Sequence, residues 1–285
     1  MTLTHTQMAS ELSGTESVAF TVLGVGGEVC TEKADHLAAE EPLAVRIAFG
    51  PLRERQQTTI SITMRTPGQD EDLAAGFLFV EGVLTRPNQI LDIRAKRSGN
   101  AIQIDLHPDL PVDLSRLDRR GYTTSSCGVC GKTSIDAIEA NCDGPRPGGR
   151  AVPPSLIHSL PARLHVAQPT FALTGGLHAA ALFDLDGNLI GVREDVGRHN
   201  AVDKLIGAEF RSGRVPLDNR IILVSGRAGF ELVQKAAVAG APIFAAVGAP
   251  TSLAAQLANR LGVTLLGFVR EGRFNIYAGA ERIAL

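Results

Sequence analysis

The chain has 285 residues, of which 44% are hydrophobic and 20% are charged, and its formal net charge is −2. This length and balance predict one large or two closely packed globular units with a buried core. The charge gives no reason to expect binding to nucleic acid or to an anionic membrane surface. Four cysteines are too few for a secreted scaffold built on disulfides.

The first 17 residues contain no lysine, no arginine and no apolar run. They therefore lack the features of a secretory signal, and no later stretch is long and apolar enough to cross a bilayer. We predict a cytoplasmic protein with a disordered tail at residues 1–17.

The N-terminal part has the patterns of short strands and one helix. Three segments show the alternating or β-branched composition of strands: residues 18–23, 43–49 and 58–64. Acidic residues at 70–72 suit the positive dipole end of a helix, which the apolar spacing predicts over residues 73–84. Residues 90–96 and 101–106 predict a hairpin around a Ser-Gly-Asn turn.

Two thiols lie three residues apart, at Cys127 and Cys130, in a loop of small residues. Helical periodicity follows at residues 133–140, so the positive end of a helix and Lys132 favour the thiolate over the thiol. A nucleophile, a metal ligand and a persulfide carrier all need that thiolate, and the motif alone does not choose among them. We interpret the other two cysteines, Cys30 and Cys142, as incidental buried thiols.

A run rich in proline and glycine at residues 143–154 is the strongest break in the chain, and it predicts a loop or hinge. It divides an N-terminal part, residues 18–142, from a C-terminal α/β part, residues 155–285. Strands from both parts could still share one sheet, so the run does not by itself establish two domains.

The C-terminal part begins with a hairpin pattern, residues 174–183 and 189–192, around an Asp-Gly turn. Residues 194–200 then open a helix that is predicted to run to residue 206.

The remainder alternates between apolar strands and helices. The strands are predicted at residues 220–224, 242–247, 263–269 and 273–278, and the helices at residues 230–239 and 252–261. Nearly all-apolar strands separated by helices predict a parallel sheet covered on both faces.

Ligands of such sheets bind beyond the carboxyl ends of the strands. Three loops follow those ends: Ser225-Gly226-Arg227, Gly248-Ala249-Pro250-Thr251-Ser252 and Arg270-Glu271-Gly272-Arg273. Their arginines, glycines and helix start predict a site for phosphate or a nucleotide, and Phe268 offers a flat face for a ring. Taken singly, each loop is better explained by solvated arginines or an ordinary helix start, and only the three loops together favour a ligand site.

Arg198-His199-Asn200 places three polar side chains at the opening of a helix. They are further candidates for a ligand site. Alternatively, Asp195 or Asn200 caps the helix and His199 is simply exposed.

Zinc is the main alternative role for the cysteines. A closed site wants four ligands, and Cys142 with one histidine could complete the set; the candidates are His158, His165, His178 and His199. No spacing supports this arrangement. A deaminase-type zinc site also fails, because His-x-Glu does not precede the cysteines and Ser126 stands where Pro is expected.

Nine stretches in order resemble one family. They are Glu41-Pro42-Leu43, Ser61 to Gly68, Gly76-Phe77-Leu78 with Glu81-Gly82, Ser125 to Lys132, Thr174 to Ala180, Glu194 to Asn200, Ser225-Gly226-Arg227, Ala249 to Ser252, and Gly267-Phe268. Together they resemble the FdhD family of sulfur carrier proteins, which are accessory factors for formate dehydrogenase. The resemblance spans the chain from about residue 18 to its end.

The resemblance implies a sulfurtransferase that receives persulfide sulfur from a cysteine desulfurase. Its acceptor would be a molybdenum or tungsten cofactor that bears two pterin guanine dinucleotides and is destined for formate dehydrogenase. It places the persulfide on the Cys-x-x-Cys loop. Our hypothesis within that loop is that Cys127, which lies next to Ser125-Ser126, carries the persulfide, and that Cys130 relays the sulfur or resolves the persulfide. A chaperone that binds the cofactor without transferring sulfur, or a structural zinc protein, remains an alternative.

The resemblance also implies a fold similar to cytidine deaminase without its zinc. This is a mixed or parallel sheet with helices on both faces and a smaller β-rich N-terminal subdomain, assembled as a homodimer. Family ligand contacts map to one segment; its residues are Phe268, Val269, Arg270, Glu271, Gly272 and Arg273. Arg198, His199 and Arg227 are added as candidates for the cofactor's pyrophosphates.

Overall fold

The computed structural model describes residues 16–27, 29–96, 99–113, 144–146 and 148–285. The loop with Cys127 and Cys130, the helix predicted at residues 133–140, and Cys142 lie outside the described residues. Most of the predicted N-terminal tail also lies outside them.

The chain begins with a two-stranded antiparallel ribbon, formed by β1 (Ser17–Gly26) and β2 (Val29–Ala38). β1 runs through Gly24, where the sequence predicts an end, and β2 has no counterpart among the predicted strands. Cys30 lies on β2 as an exposed free thiol, so the prediction that it is buried is wrong. The physical reason is that Cys30 faces Val25 across a ribbon whose outer half is solvent-exposed.

A four-stranded sheet follows, with strand order β4-β3-β6-β5. The strands are β3 (Glu41–Phe49), β4 (Gln56–Arg65), β5 (Ile90–Ala95) and β6 (Ala101–Leu106). The predicted strands and the β5–β6 hairpin are confirmed. Helix α1 (Asp70–Val80) carries acidic residues in its first turn, as predicted, but ends four residues early. Gly82, at φ +74°, takes the left-handed conformation that ends helices.

The C-terminal half builds a six-stranded mixed sheet of order β12-β11-β10-β9-β7-β8. The strands are β7 (His178–Asp184), β8 (Leu189–Asp195), β9 (Arg220–Val224), β10 (Ile243–Ala246), β11 (Thr264–Arg270) and β12 (Arg273–Ala278). β9, β10 and β11 are parallel, as predicted, whereas β7 and β12 run antiparallel to their neighbours. The mixed α/β architecture with a β-rich N-terminal part is therefore confirmed.

The described helices of this half lie on both faces of the sheet. They are α2 (Pro154–Val166), α3 (Pro169–Thr174), α4 (Arg198–Arg211), α5 (Phe230–Val238) and α6 (Ser252–Leu261). One core cluster joins α4, α5 and α6 to one face of the strands, and a second joins α2 to the other face. Two predicted boundaries shift, because residues 174–177 precede β7 and residues 194–195 complete β8 instead of opening α4.

Two glycines let α1 cross α4 at very short range. A Cβ on Gly76 would overlap the backbone carbonyl of Asp203, and one on Gly207 would overlap that of Asp72. α1 also packs on the four-stranded sheet, in a third core cluster that includes Phe210 of α4. This crossing joins the two halves, and the division at residues 143–154 stays a prediction.

We predict that Gly76→Ala destabilises the protein by about 3 kcal/mol, because the new methyl group meets rigid backbone that cannot yield. Urea unfolding of the purified variant measures this. The control is Gly191→Ala, since Gly191 on β8 has no atom near its Cβ position and should change stability by less than about 0.5 kcal/mol. Equal stabilities of the two variants would contradict the packing described.

Candidate functional site

The three loops that follow the parallel strands come together at one end of the six-stranded sheet. Gly248 N–H donates to Gly226 O at 2.9 Å, and Phe268 N–H donates to Gly248 O at 3.0 Å. We call this region, residues 225–227, 248–252 and 268–273, the C-terminal edge. A Cβ on Gly248 would lie 2.7 Å from Gly226 O, so the loops approach this closely only because glycine stands there.

Three arginines of the C-terminal edge are exposed: Arg227, Arg270 and Arg273. Arg270 is held in place, because its Nη1 donates to the carbonyl oxygens of Val247 at 2.6 Å and of Val269 at 2.9 Å. The edge therefore presents positive charge that is suited to phosphate groups.

The other predicted residues of segment 268–273 differ in what they offer. Glu271 and Gly272 are exposed at the turn into β12, whereas the Val269 side chain is fully buried and leaves only its backbone for a ligand. Phe268 is 41% exposed and has φ +54°, a left-handed conformation that is rare and strained for a bulky side chain. Such strain is commonly found at ligand sites.

Arg198 and His199 begin α4 and join the C-terminal edge from the side of β7. A Cβ on Gly226 would lie 3.9 Å from Cδ of Arg198 and 3.3 Å from Nδ1 of His178. The sequence analysis gives His178 as a possible zinc ligand and as part of the stretch Thr174 to Ala180, but not as a residue of this edge. Sequence reasoning misses His178 here because it does not reveal the strand order: β7 pairs with β9, although α4 lies between these strands in the chain.

The His178 imidazole is half-buried beside two other basic groups. Burial lowers the pKa of His178 below its ordinary value, and the charges of Arg198 and His199 lower it further. His178 is therefore neutral at neutral pH. The C-terminal edge combines arginine cations with the uncharged imidazole of His178.

His199 is only partly exposed, contrary to the alternative in which it is free in solvent. Its Nε2 lies 2.9 Å from Oε2 of Glu231 on α5. Burial alone would raise the pKa of Glu231, but the hydrogen bond and charge of His199, together with the charges of Lys235 and Arg198, outweigh it and lower the Glu231 pKa overall. The pair fixes the start of α4 against α5.

A buried ion pair lies beneath this start. Nζ of Lys204 is 2.8 Å from Oδ2 of Asp195, and both side chains are 0% exposed. Asp195 also accepts hydrogen bonds from Gly197 N–H and from the Asn200 side chain, at 2.8 and 3.0 Å. Burial raises the pKa of Asp195, and the Lys204 ammonium opposes that rise.

The same pair reaches the N-terminal half of the chain. Lys204 Nζ donates to Thr66 O at 2.9 Å, and Thr66 N–H donates to Asp195 Oδ2 at 3.2 Å. The segment after β4, the end of β8 and the start of α4 are therefore joined in one hydrogen-bonded network.

The described part of the chain contains neither a metal-binding cluster nor a membrane-spanning helix. No group of three or more histidine, cysteine or acidic side chains is arranged there to hold a metal ion. No helix within those residues has the length and apolar character needed to cross a bilayer. Cys127 and Cys130 lie outside the described residues.

The chain matches a known protein family over most of its length. The model of the FdhD/NarQ family matches residues 38–284. The chain belongs to the FdhD/NarQ family.

Relatives and a solved structure of the FdhD/NarQ family cover nearly the whole chain. The sulfur carrier protein FdhD of Streptomyces coelicolor is 48% identical over 270 residues, which are 91% of this chain and 92% of the relative. The sulfur carrier protein FdhD of Mycobacterium tuberculosis is 45% identical over 265 residues, which are 88% of this chain and 92% of the relative. A candidate formate dehydrogenase accessory protein from Desulfotalea psychrophila has a crystal structure that matches this one with a TM-score of 0.74. The two sequences are 26% identical, and the match covers 94% of this chain and 100% of that one.

We predict that Lys204→Met destabilises the protein by about 3–5 kcal/mol, because it leaves the Asp195 carboxylate buried without its counter-charge. Adding Asp195→Asn should recover part of this loss. Arg150→Met is the control: it breaks the Arg150–Asp186 pair, whose side chains are 60% and 63% exposed, and should cost less than about 1 kcal/mol. Chemical denaturation compares the variants, and equal losses for Lys204→Met and Arg150→Met would contradict the role of the buried pair.

Proposed function

We propose that the protein is a sulfur carrier that passes persulfide sulfur from a cysteine desulfurase to a molybdenum cofactor with two pterin guanine dinucleotides. The observation that carries this proposal is membership of the FdhD/NarQ family, in which close relatives over about nine-tenths of the chain are named sulfur carrier proteins. The arginine-bearing C-terminal edge supports the cofactor part of the proposal.

Sulfur acceptance is a thiol exchange on the sequence motif. The Cys127 thiolate attacks the terminal sulfur of the donor enzyme's persulfide, so that a new S–S bond forms and the donor cysteine leaves as a thiolate. The product is a persulfide on Cys127. No net oxidation or reduction occurs in this step, because one S–S bond replaces another.

Sulfur release uses the second thiol. The Cys130 thiolate attacks the inner sulfur of the persulfide, which forms a Cys127–Cys130 disulfide and releases hydrosulfide for the cofactor. A cellular dithiol reductant then returns both cysteines to thiols. Direct relay of the sulfur through Cys130 is the other route that the motif allows.

The cofactor is the substrate of this reaction, and the C-terminal edge is its proposed site. Arg227, Arg270 and Arg273 would bind its pyrophosphates, with Arg198 and His199 alongside, and Phe268 would stack on a ring. The backbone of residues 268–273 lies at the same edge. Multiple negative charges on the ligand match the concentration of basic side chains there.

Formate dehydrogenase is the proposed recipient of the finished cofactor, and a homodimer is the proposed assembly. The name of the solved relative from Desulfotalea psychrophila supports the link to formate dehydrogenase. A chaperone that binds the cofactor without carrying sulfur would need the arginines but not the cysteines, which gives a direct way to separate the two functions.

We predict that Cys127→Ser lowers sulfur loading at least about tenfold, because serine cannot form a persulfide. The purified chain is incubated with a cysteine desulfurase and cysteine, and intact mass spectrometry measures the adduct of about 32 Da per sulfur. Cys130→Ser should keep the adduct, since its resolving thiol is lost. Cys30→Ser is the matched control, because Cys30 is an exposed thiol outside the motif.

Formate dehydrogenase activity in cells is the second readout of these variants. It should fall with Cys127→Ser and persist with Cys30→Ser. Persistence of both the adduct and the activity in Cys127→Ser would rule out the assignment, and activity without either motif cysteine would favour the chaperone.

We predict that Arg227→Gln and Arg273→Gln each weaken binding of GDP-mannose roughly tenfold, since each removes a charged hydrogen bond to phosphate. GDP-mannose is the probe because it contains guanosine and a pyrophosphate esterified at both ends, like the proposed cofactor. Isothermal titration calorimetry measures the affinity. Arg150→Gln is the control. Arg150 is exposed and pairs with Asp186, which lies just beyond the end of β7 that is farther from the C-terminal edge, so this variant should bind GDP-mannose like the unaltered chain. Unchanged binding by both edge variants would exclude this edge as the phosphate site.

A further inference from the structure

His178 lies next to the C-terminal edge, although it is not part of the three loops that form this edge. It is the first residue of β7, which runs antiparallel to β9, so it lies beside the end of β9. Two hydrogen bonds fix this alignment: Ser225 N–H donates to Ala179 O at 3.0 Å, and Ala179 N–H donates to the Ser225 hydroxyl at 2.9 Å.

Glycine at position 226 leaves room for the imidazole. A Cβ there would lie 3.3 Å from Nδ1 of His178 and 3.5 Å from its Cε1. The ring therefore lies directly against the backbone of the C-terminal edge. Its position is that of a residue that can contact a ligand seated on the three loops.

Two basic side chains and one carboxylate act on the ring electrostatically. Arg198 and His199 face it from α4, and Asp195 faces it from the end of β8. The Asp195 carboxylate is already paired with Lys204, and His199 is paired with Glu231. Burial lowers the His178 pKa below its usual value of about 6.5, and the electrostatic effect of Arg198 and His199 exceeds the opposing effect of Asp195, so the ring is uncharged in the unliganded site at neutral pH.

A phosphate-bearing ligand reverses this balance. Its negative charges offset those of the neighbouring arginines, and a charged imidazole donates a stronger hydrogen bond to phosphate than a neutral one does. Both effects favour the protonated ring.

We propose that His178 is a further ligand-binding residue of the C-terminal edge and that it takes up a proton when a phosphate-bearing ligand binds there. The inference rests on the proposed function, since it requires an anionic ligand at this edge. By linkage, ligand affinity is then highest at low pH and falls as the pH rises through the pKa that His178 has in the complex.

Calorimetric titration with GDP-mannose tests the proposal, because this diester has no group that titrates between about pH 6 and about pH 8. Titrations at neutral pH in buffers of different ionisation enthalpy give the number of protons bound. We expect net uptake of a fraction of one proton, and an affinity that falls by up to roughly tenfold per pH unit across that range.

His178→Asn should abolish most of the uptake and flatten the pH dependence, because asparagine keeps a polar side chain but cannot be protonated. The matched control is His165→Asn. His165 is an exposed histidine on α2, and its ring contacts Phe171 of α3 and not the loops of the C-terminal edge. This variant should take up protons like the unaltered chain.

A second measurement does not depend on the folding of a variant. In the unaltered chain, the NMR titration of the His178 ring should give a higher pKa with GDP-mannose than without it. An unchanged pKa, or equal proton uptake by the unaltered chain and His178→Asn, overturns the inference.

Failure of the inference and failure of the proposed function give different results. Binding of GDP-mannose without proton uptake overturns the role of His178 alone and leaves sulfur carriage intact. Absence of any binding overturns the role of His178 and the proposed ligand site. Sulfur carriage is tested independently, because intact mass spectrometry measures sulfur loading without the ligand.

Discussion

The buried pair of Lys204 and Asp195 is the interaction on which the site depends. It joins the end of β8, the start of α4 and, through Thr66, the N-terminal half of the chain. Removing two charges from water is costly, so the pair is maintained only because hydrogen bonds satisfy both groups. In return, it fixes the position from which Arg198 and His199 reach the C-terminal edge. The positions of these charged side chains thus depend on a buried hydrogen-bonded network.

Close backbone approach is the second constraint, and it acts in two places. Gly76 and Gly207 bring α1 against α4, which couples the two halves of the chain. Gly226 and Gly248 bring the loops after β9 and β10 into backbone contact, which leaves the C-terminal edge open and its amides close together. A large anionic ligand needs such an edge, since side chains at these positions would fill the space.

Much of the C-terminal half could be predicted from its sequence, because apolar strands alternate there with amphipathic helices. The ribbon strand β2 could not, since its exposed side chains show no burial pattern. Cys30, which the sequence analysis interprets as buried, lies exposed on this strand. Strand rules also predicted that the loops after β9, β10 and β11 share an edge. The position of His178 depends on a pairing of β7 with β9 that no local pattern encodes. The Lys204–Asp195 pair depends on packing against Thr66, which is 129 residues away from Asp195 in the chain.

The central claim is that a guanine-nucleotide cofactor occupies the C-terminal edge of a sulfur-carrying chain. The most direct test is mass spectrometry of ligands that co-purify with the protein expressed in its own host. We expect a bis-pterin guanine dinucleotide with the unaltered chain and with Cys127→Ser, and its loss from a chain carrying both Arg227→Gln and Arg273→Gln. An unaltered chain that carries sulfur but no guanine-nucleotide ligand, or an arginine variant that retains the ligand, would contradict the account.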